Sequence, residues 1–287
     1  MTIQYKFLAR KSESSKAMKI GIFIPCYNVE TRIVAVLERL ECKIENLVDT
    51  VLIFDNCSSD GTVAQVAAFL SKKNGQKFHL YRNSQNYSLG GSTILAFAEA
   101  NRRHLDYLFC LHGDGQADPG DMVPLIESLA IEPYDFIFGS RFLPDSDVEA
   151  YSRLRKWGNS VFIFIQRWLV GIGARDLGAM LGFRMSTIRE LPFSRLRPSM
   201  SYHPYLVLSA FLLSRRKLTW TELPISWGPV EHSNINIWTY GLRYFIRLLR
   251  LRFIGVELVE DQLATMRTAK VSCGTTACVP NSEIATL

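Results

Sequence analysis

Short apolar runs alternate with segments of helical periodicity along the first half of the chain. The runs are continuous and end in polar turn residues, as buried strands of a parallel sheet do. Between them, apolar residues recur three or four positions apart, the spacing of one helix face. This alternation predicts an α/β fold with a mostly parallel central sheet flanked by helices. The predicted strands are 20–24, 51–54, 78–81, 107–111 and 136–138, and the predicted helices are 29–40, 62–70, 90–102 and about ten residues from 121.

The pattern changes beyond residue 150. A late strand is predicted over 218–225, and residues 157–173 are strongly apolar but include charge. Residues 238–253 place apolar side chains on one helical face and Arg243, Arg247 and Arg250 on another. Such a helix is typical of a membrane interface and equally of a packed surface helix with solvated arginines. No window of about 18 residues lacks charge, so we predict no membrane span.

Composition places the chain among globular proteins. Of 287 residues, 48% are hydrophobic and 21% charged, which excludes a mainly disordered chain, a collagen-like fibre and a disulfide scaffold. The net charge of +6 is a mild excess that fits an anionic substrate or a membrane surface. We divide the chain into a flexible arm over 1–18, an α/β domain over 19–230, an amphipathic helical segment over 231–262 and a disordered tail over 263–287.

Four polar turns follow predicted strands, at the strand ends where open α/β sheets bind ligands. In the turn after the fourth strand, Asp114 and Gln116 offer oxygen atoms, the ligands that Mg²⁺ or Mn²⁺ prefers. The competing interpretation is a polar loop in which Asp118 caps the next helix. After the second strand, Asp55 can accept hydrogen bonds from a base or ribose, or the turn serves only as a helix cap.

Four motifs occur in order at these strand ends. They are Pro25-Cys-Tyr27-Asn28-Val-Glu30, Asp55-Asn56-Cys-Ser-Ser-Asp60-Gly-Thr, Asp114-Gly-Gln116 and Gly139-Ser140-Arg141. With these motifs, the chain resembles family 2 glycosyltransferases of the GT-A fold over about residues 19–184. Within that family it resembles the dolichyl- and polyprenyl-phosphate sugar synthases.

The resemblance implies a nucleotide-sugar site with a divalent ion, Mg²⁺ or Mn²⁺, held by Asp114 and Gln116. This chain departs from the family at two places. Asn56 replaces the second member of an acidic pair, and His112 stands where the lipid-phosphate branch usually has an aspartate. Imidazole is a softer ligand than such a site needs, which leaves the role of His112 open. The implied nucleotide-sugar-binding residues are Pro25, Tyr27, Glu30, Asp55, Asn56 and Asp114.

The resemblance also implies a clamp for an acceptor phosphate. The related synthases use two arginines and a hydroxyl residue for this purpose. The matching positions here are Arg141, Arg155 and Asn159, so an asparagine replaces the hydroxyl residue. A guanidinium engages phosphate oxygens in pairs, whereas the competing interpretation makes Arg155 part of a solvated basic turn. Asp176 holds sugar hydroxyls, orients an arginine, or forms an ion pair with Arg175 or Arg184. The implied clamp residues are Arg141, Arg155, Asn159 and Arg184.

The resemblance implies a metal-dependent, inverting transferase that moves a sugar from a UDP- or GDP-sugar to a polyprenyl or dolichyl phosphate. A phosphate monoester is already an anion at neutral pH, so its attack needs no strong general base. The implied catalytic residues are Asp114, Arg141, Arg155 and Asp176.

Three alternatives stay open. The first is a hydroxyl acceptor on a glycan or lipid, with Asp176 or Asp118 as base. The second is a membrane-surface binding module without turnover, which the residues His112 and Asn56 motivate. The third is another class of nucleotide-binding enzyme, against which the absence of Gly-x-Gly-x-x-Gly and phosphate-loop motifs argues.

The expected partners are a nucleotide-diphosphate sugar, a polyprenyl-phosphate acceptor and a membrane surface, with no nucleic acid. We expect the protein in the cytoplasm, bound peripherally to the cytoplasmic face of the membrane through 157–173 and 238–253. Related soluble synthases form dimers or tetramers, so a homo-oligomer is compatible with the sequence.

Overall fold

The structure is a computed structural model that describes residues 17–44, 46–73, 77–148, 153–196, 203–214, 217–228, 237–258, 260, 264–271 and 280–283. The predicted N-terminal arm falls almost wholly outside these ranges. Strands and helices alternate up to residue 140, as the hydrophobic pattern predicts, and the order becomes less regular beyond it.

The strands are β1 (Ile20–Cys26), β2 (Thr50–Asp55), β3 (Phe78–Asn83), β4 (Tyr107–Cys110), β5 (Phe136–Ser140), β6 (Met180–Arg184), β7 (Trp220–Pro224), β8 (Thr268–Val271) and β9 (Pro280–Glu283). The helices are α1 (Ile33–Ile44), α2 (Thr62–Ser71), α3 (Ser88–Arg102), α4 (Met122–Glu127), α5 (Arg153–Val170), α6 (Met185–Glu190), α7 (His203–Leu213) and α8 (Ile237–Phe253).

One sheet joins these strands in the order β7-β5-β6-β4-β1-β2-β3-β8-β9. Its centre, β4-β1-β2-β3, is parallel, but β6 runs antiparallel between β4 and β5, and β8 runs antiparallel to β3. The sheet is therefore mixed, where the sequence predicted a mostly parallel one. Because β5 and β7 are parallel to each other and β6 opposes both β5 and β4, the strands β1 to β5 and β7 all end at one edge. We call it the carboxyl edge.

The core lies on both faces of the sheet. Along β1, Ile22 and Ile24 pack with α1 on one face, and Phe23 packs toward α3 on the other. This division follows from the alternation of side chains along a strand. All three side chains are fully buried, and burial of each contributes about 1.5–3 kcal/mol to folding.

The segment predicted as a disordered tail contributes a strand to the sheet, which corrects that prediction for 268–271. In β8, Thr268 pairs with Asn83 and Val271 with Leu80 of β3. Just before the strand, the Arg267 carbonyl accepts a hydrogen bond from the Ser84 amide at 3.0 Å. The polar composition of this segment concealed a short strand that pairs with β3 on one side and with β9 on the other.

Helices α5 and α8 pack against each other. The rings of Phe162 and Tyr244 lie 4.8 Å apart between centroids, and the Tyr244 hydroxyl donates to the Gln166 side chain at 3.4 Å. Among the helices of the described ranges, none is long and apolar enough to cross a bilayer.

Candidate active site

The turns after β1, β2, β4, β5 and β7 meet at the carboxyl edge, and most of the predicted site residues lie there. On the β1–β2 side, Asp55 ends β2 with its side chain fully buried. Its carboxylate accepts the Ser58 amide at 3.2 and 3.3 Å, and Arg82 Nε lies 3.5 Å from Oδ2. Burial raises the pKa of Asp55, against the hydrogen bonds from Ser58 and the positive charge of Arg82.

Asn56 is held in a buried amide network. Its NH₂ donates to Asn86 Oδ1 at 2.8 Å, and its oxygen accepts from Asn83 Nδ2 at 3.0 Å and from the Tyr87 amide at 2.8 Å. An ionised carboxylate accepts hydrogen bonds but donates none, so an aspartate would lose the bond to Asn86. This explains the amide at position 56. A nucleotide contact by Asn56 stays a prediction.

The loop after β1 is fastened to the turn after β2. Asn28 has a left-handed backbone (φ 52°), and its side-chain oxygen accepts the Ser59 amide at 3.0 Å. The Glu30 carboxylate accepts the Gly61 amide. Pro25 lies within β1, and Tyr27, at the start of the loop, is half exposed. Hydrogen bonds therefore join the first two motifs into one structural unit, and the Tyr27 ring stays accessible to solvent.

The turn after β4 carries two oxygen-bearing side chains, those of Asp114 and Gln116. Asp114 Oδ1 accepts a hydrogen bond from the backbone amide of Gln116 at 3.1 Å, and Gly115 between them has φ of 75°, which a glycine adopts readily. Both side chains are half-buried. Within the described residues no three His, Cys, Asp or Glu side chains cluster as a metal site. An ion here would take ligands from Asp114, Gln116 and a bound diphosphate, a donor set that fits Mg²⁺ or Mn²⁺.

Asp118 caps the short helix that follows, as one interpretation of the sequence predicted. Its side chain accepts the Gly120 amide at 2.8 Å and pairs with Arg39 at 3.0 Å. A cleft of about 210 Å³ lies beside this loop, between Gln116 and Trp227.

Asp176 pairs with Arg141, and not with Arg175 or Arg184 as one interpretation held. Arg141 Nε lies 2.6 Å from Oδ2 and Nη2 lies 3.0 Å from Oδ1, a two-point pair. The Arg141 and Gly178 amides add bonds of 3.1 Å each to the same carboxylate. A carboxylate offers about four acceptor positions, so this set occupies Asp176 and argues against its use as a general base.

The other predicted clamp residues are less uniformly placed. Arg184 ends β6 opposite Tyr107, the first residue of β4, so it lies at the edge of the sheet away from the site. The structure therefore does not bring Arg184 to the clamp. Asn159 lies on α5 with its Nδ2 buried and without a hydrogen-bond partner among the described residues. Arg155 is in the first turn of α5, and its side chain lies outside the described residues.

Trp227 and Glu222 are site residues that the sequence analysis missed. Trp227 is almost fully buried, with the Arg141 guanidinium 4.6 Å from its ring centroid and the His112 ring 5.9 Å away, edge-on. Glu222 accepts the backbone amides of Arg175 and Asp176 at 2.7 and 3.0 Å, and burial raises its pKa. Only their position in the sequence could have indicated a role at the site: Glu222 lies within the predicted strand 218–225, and Trp227 lies just after it.

Two similar proteins of known name act on lipid phosphates. The UDP-N-acetylglucosamine–dolichyl-phosphate N-acetylglucosaminyltransferase of Methanococcus voltae is 27% identical over 81% of this chain and 96% of its own length. The undecaprenyl-phosphate mannosyltransferase of Micrococcus luteus is 25% identical over 78% of this chain and 95% of its own.

The fold is similar to that of a solved structure, the glucosyl-3-phosphoglycerate synthase of Mycobacterium tuberculosis with Mn²⁺, UDP and glucosyl-3-phosphoglycerate. The TM-score is 0.58 at 13% identity, covering 82% of this chain and 80% of the synthase chain. The family model for Glycosyl transferase family 2 matches residues 21–191, from β1 to just beyond α6. The chain belongs to glycosyl transferase family 2 and has the GT-A fold.

Proposed function

We propose that this chain transfers a sugar from a UDP- or GDP-sugar to a polyprenyl phosphate, with inversion and with a divalent ion. The proposal rests on the position of Trp227. This residue contacts both the turn that holds Asp114 and Gln116 and the guanidinium of Arg141. The first offers oxygen ligands and the second a fixed cation. The names of the two lipid-phosphate relatives support the choice of acceptor.

On the donor side, the fastened turns after β1 and β2 receive the nucleotide. Asp55 accepts hydrogen bonds from the base or ribose, and the exposed Tyr27 ring lies beside that position. Asp114 and Gln116 would hold the divalent ion, and the ion would stabilise the charge that develops on the leaving diphosphate. His112 has a buried Nε2 without a partner among the described residues and stays unassigned.

On the acceptor side, Arg141 and Arg155 hold the lipid phosphate in line with the anomeric carbon, which supplies proximity. Asn159 lies on the same helix as Arg155, and its buried Nδ2, which has no hydrogen-bond partner among the described residues, is a third donor that supports its place in the clamp. The phosphate oxygen attacks as an anion, so no proton has to be removed. The four hydrogen bonds to Asp176 and the cap made by Asp118 disfavour a hydroxyl acceptor that needs either carboxylate as base.

Two helices support a place at the cytoplasmic face of a membrane. On α5, side chains at positions i, i+4, i+7 and i+11 point away from the protein, with Trp157 67%, Phe164 71% and Trp168 75% exposed. On α8, Leu242, Ile246 and Phe253 repeat this spacing beside the exposed Arg243 and Arg250. Apolar stripes flanked by arginines suit the interface of an anionic bilayer. The lipid acceptor would be drawn from that surface.

The test is a product assay with a short polyprenyl phosphate and a panel of UDP- and GDP-sugars, read by mass spectrometry. We expect one lipid-phosphate sugar that disappears when a chelator removes the ion. Arg155→Ala should reduce its formation by at least about 100-fold, since one charge-assisted phosphate contact is worth about 1.5–3 kcal/mol in binding and more in the transition state.

Arg167→Ala is the matched control, because it removes an exposed arginine from the same helix away from the phosphate site. It should stay within about twofold of the unaltered chain. Free sugar without lipid product would contradict the acceptor half of the proposal. If no nucleotide sugar of the panel gives a product and none binds, the chain is a binding module without turnover.

A further inference from the structure

Trp227 lies between the two halves of the site. Four hydrogen bonds hold the segment that contains it. The backbone amides of residues 225 to 228 donate, in chain order, to the Ser140 carbonyl, the Asp121 carboxylate, the Asp147 carbonyl and the Gln116 carbonyl at 2.6–3.1 Å. Ser140 ends β5 and Asp147 lies in the loop after it, whereas Gln116 is in the turn after β4 and Asp121 directly precedes α4. The indole is therefore fixed relative to the end of β5 and to the turn after β4.

Arg141 is held from two directions. Asp176 bonds to the guanidinium in its own plane, through Nε and Nη2. Trp227 lies against its face, with the guanidinium carbon 4.6 Å from the ring centroid. A two-point pair with a carboxylate fixes the plane of the guanidinium, and contact with an aromatic face opposes its tilting.

We propose that Trp227 is a positioning residue that fixes the Arg141 guanidinium relative to the turn holding Asp114 and Gln116. It sets the separation between the acceptor phosphate and the leaving diphosphate while touching neither. This inference rests on the proposed function, because it assigns Arg141 to the acceptor phosphate. An in-line displacement depends steeply on this separation, which is why a residue remote from the reacting atoms affects turnover.

A double-mutant cycle tests the proposal. Trp227→Ala should lower kcat/KM for the polyprenyl phosphate by about tenfold, while binding of the nucleoside diphosphate of the active donor stays within about twofold. In an Arg141→Ala chain, the same change should cost less than about twofold, because the group through which Trp227 acts is gone. Equal losses in both backgrounds would overturn the proposal, as would an equal loss of nucleotide binding.

Two further variants separate positioning from folding. Trp227→Phe keeps an aromatic face and should restore kcat/KM to within about threefold of the unaltered chain. Trp220→Ala removes an indole from the opposite end of β7, where it packs on Phe138. Its effect on kcat/KM should be the same with and without Arg141→Ala, so that the cycle shows no coupling between Trp220 and Arg141. If Trp227→Phe behaves like Trp227→Ala, or if Trp220→Ala couples equally, the proposal fails.

A readout without turnover keeps this test distinct from that of the proposed function. The order parameter of the Arg141 Nε–Hε bond in a ¹⁵N-labelled chain, with the signal assigned by its loss in Arg141→Lys, reports how firmly the guanidinium is held. It should fall in Trp227→Ala and stay unchanged in Trp220→Ala. An unchanged order parameter in Trp227→Ala would overturn the positioning role. If the unaltered chain transfers no sugar, the proposed function fails, and this order parameter alone decides whether Trp227 holds Arg141.

Discussion

Asp176 and Asp118 are both paired with an arginine, but they differ in how much water reaches them. The Arg141 and Asp176 side chains are 19% and 3% exposed, whereas Arg39 and Asp118 are 51% and 41% exposed. Removing one partner of a buried pair leaves a charge without compensation, and removing one partner of an exposed pair returns the other to water.

We therefore expect Asp176→Ala to lower the free energy of unfolding by about 2–4 kcal/mol, because Arg141 loses its charged partner and four amide or guanidinium donors lose an acceptor. Asp118→Ala, the control, should cost no more than about 1 kcal/mol through its helix cap and exposed pair. Urea denaturation of the two variants measures the difference. Similar losses would mean that the Arg141–Asp176 pair is not protected from solvent.

Sequence motifs located single residues at strand ends but not their partners. Asp55, Asp114 and Arg141 follow predicted strands and lie at the carboxyl edge. The partners of Asn56 are 27 to 31 residues away along the chain, and only the register of β2 and β3 brings them together. Arg184 shows the opposite case, since its motif is recognisable but the antiparallel direction of β6 carries it to the far edge.

At the scale of elements, β6 is one of the strands that periodicity did not predict. It enters antiparallel between β4 and β5, and its Gly182 faces Phe109 of β4. A Cβ at position 182 would lie 2.5 Å from Phe109 Cε1, well inside contact distance. The ring is fully buried and has no open space into which to move.

Gly182→Ala should therefore destabilise the fold by about 1–3 kcal/mol through overpacking. Gly158→Ala, in α5, should stabilise it by about 0.5–1 kcal/mol, because nothing lies within 4 Å of the added methyl group and alanine favours the helix. Thermal unfolding of both variants checks the opposite signs. A neutral Gly182→Ala would show that β4 and β6 separate easily.

The predicted strands 20–24, 51–54, 78–81, 107–111 and 136–138 each match an observed strand to within two residues at either end. All of these strands except β3 are buried on both faces, so their apolar runs are unbroken, whereas β3 includes the part-buried His79 and the exposed Arg82. Strand β8 lacks this signal, because its four residues Thr-Ala-Lys-Val include a threonine and a lysine and form no continuous apolar run. Direction was also hidden, since hydrophobicity reports burial and not whether a strand is parallel.

At the scale of the whole molecule, the exposed side chains on α5 are costly in water. Replacing Trp157, Phe164 and Trp168 together by serine should reduce binding to vesicles with anionic lipid by at least about tenfold, because each loses apolar contact with the interface. Ile131→Ser is the control, since Ile131 is 77% exposed but lies outside α5 and α8. Sedimentation with vesicles measures both. Equal binding of the triple variant and the unaltered chain would exclude α5 as the membrane contact.

The pairing of β8 with β3 has a consequence for how the protein is made. Residues 78–83 leave the ribosome long before 268–271, so the β3 edge stays open while most of the chain is synthesised. An open edge is a template for pairing with another chain, and the partner comes from the far end of the sequence. Until residues 268–271 are synthesised, the nascent protein therefore depends on slow association with other chains, or on a chaperone, to keep the β3 edge unpaired.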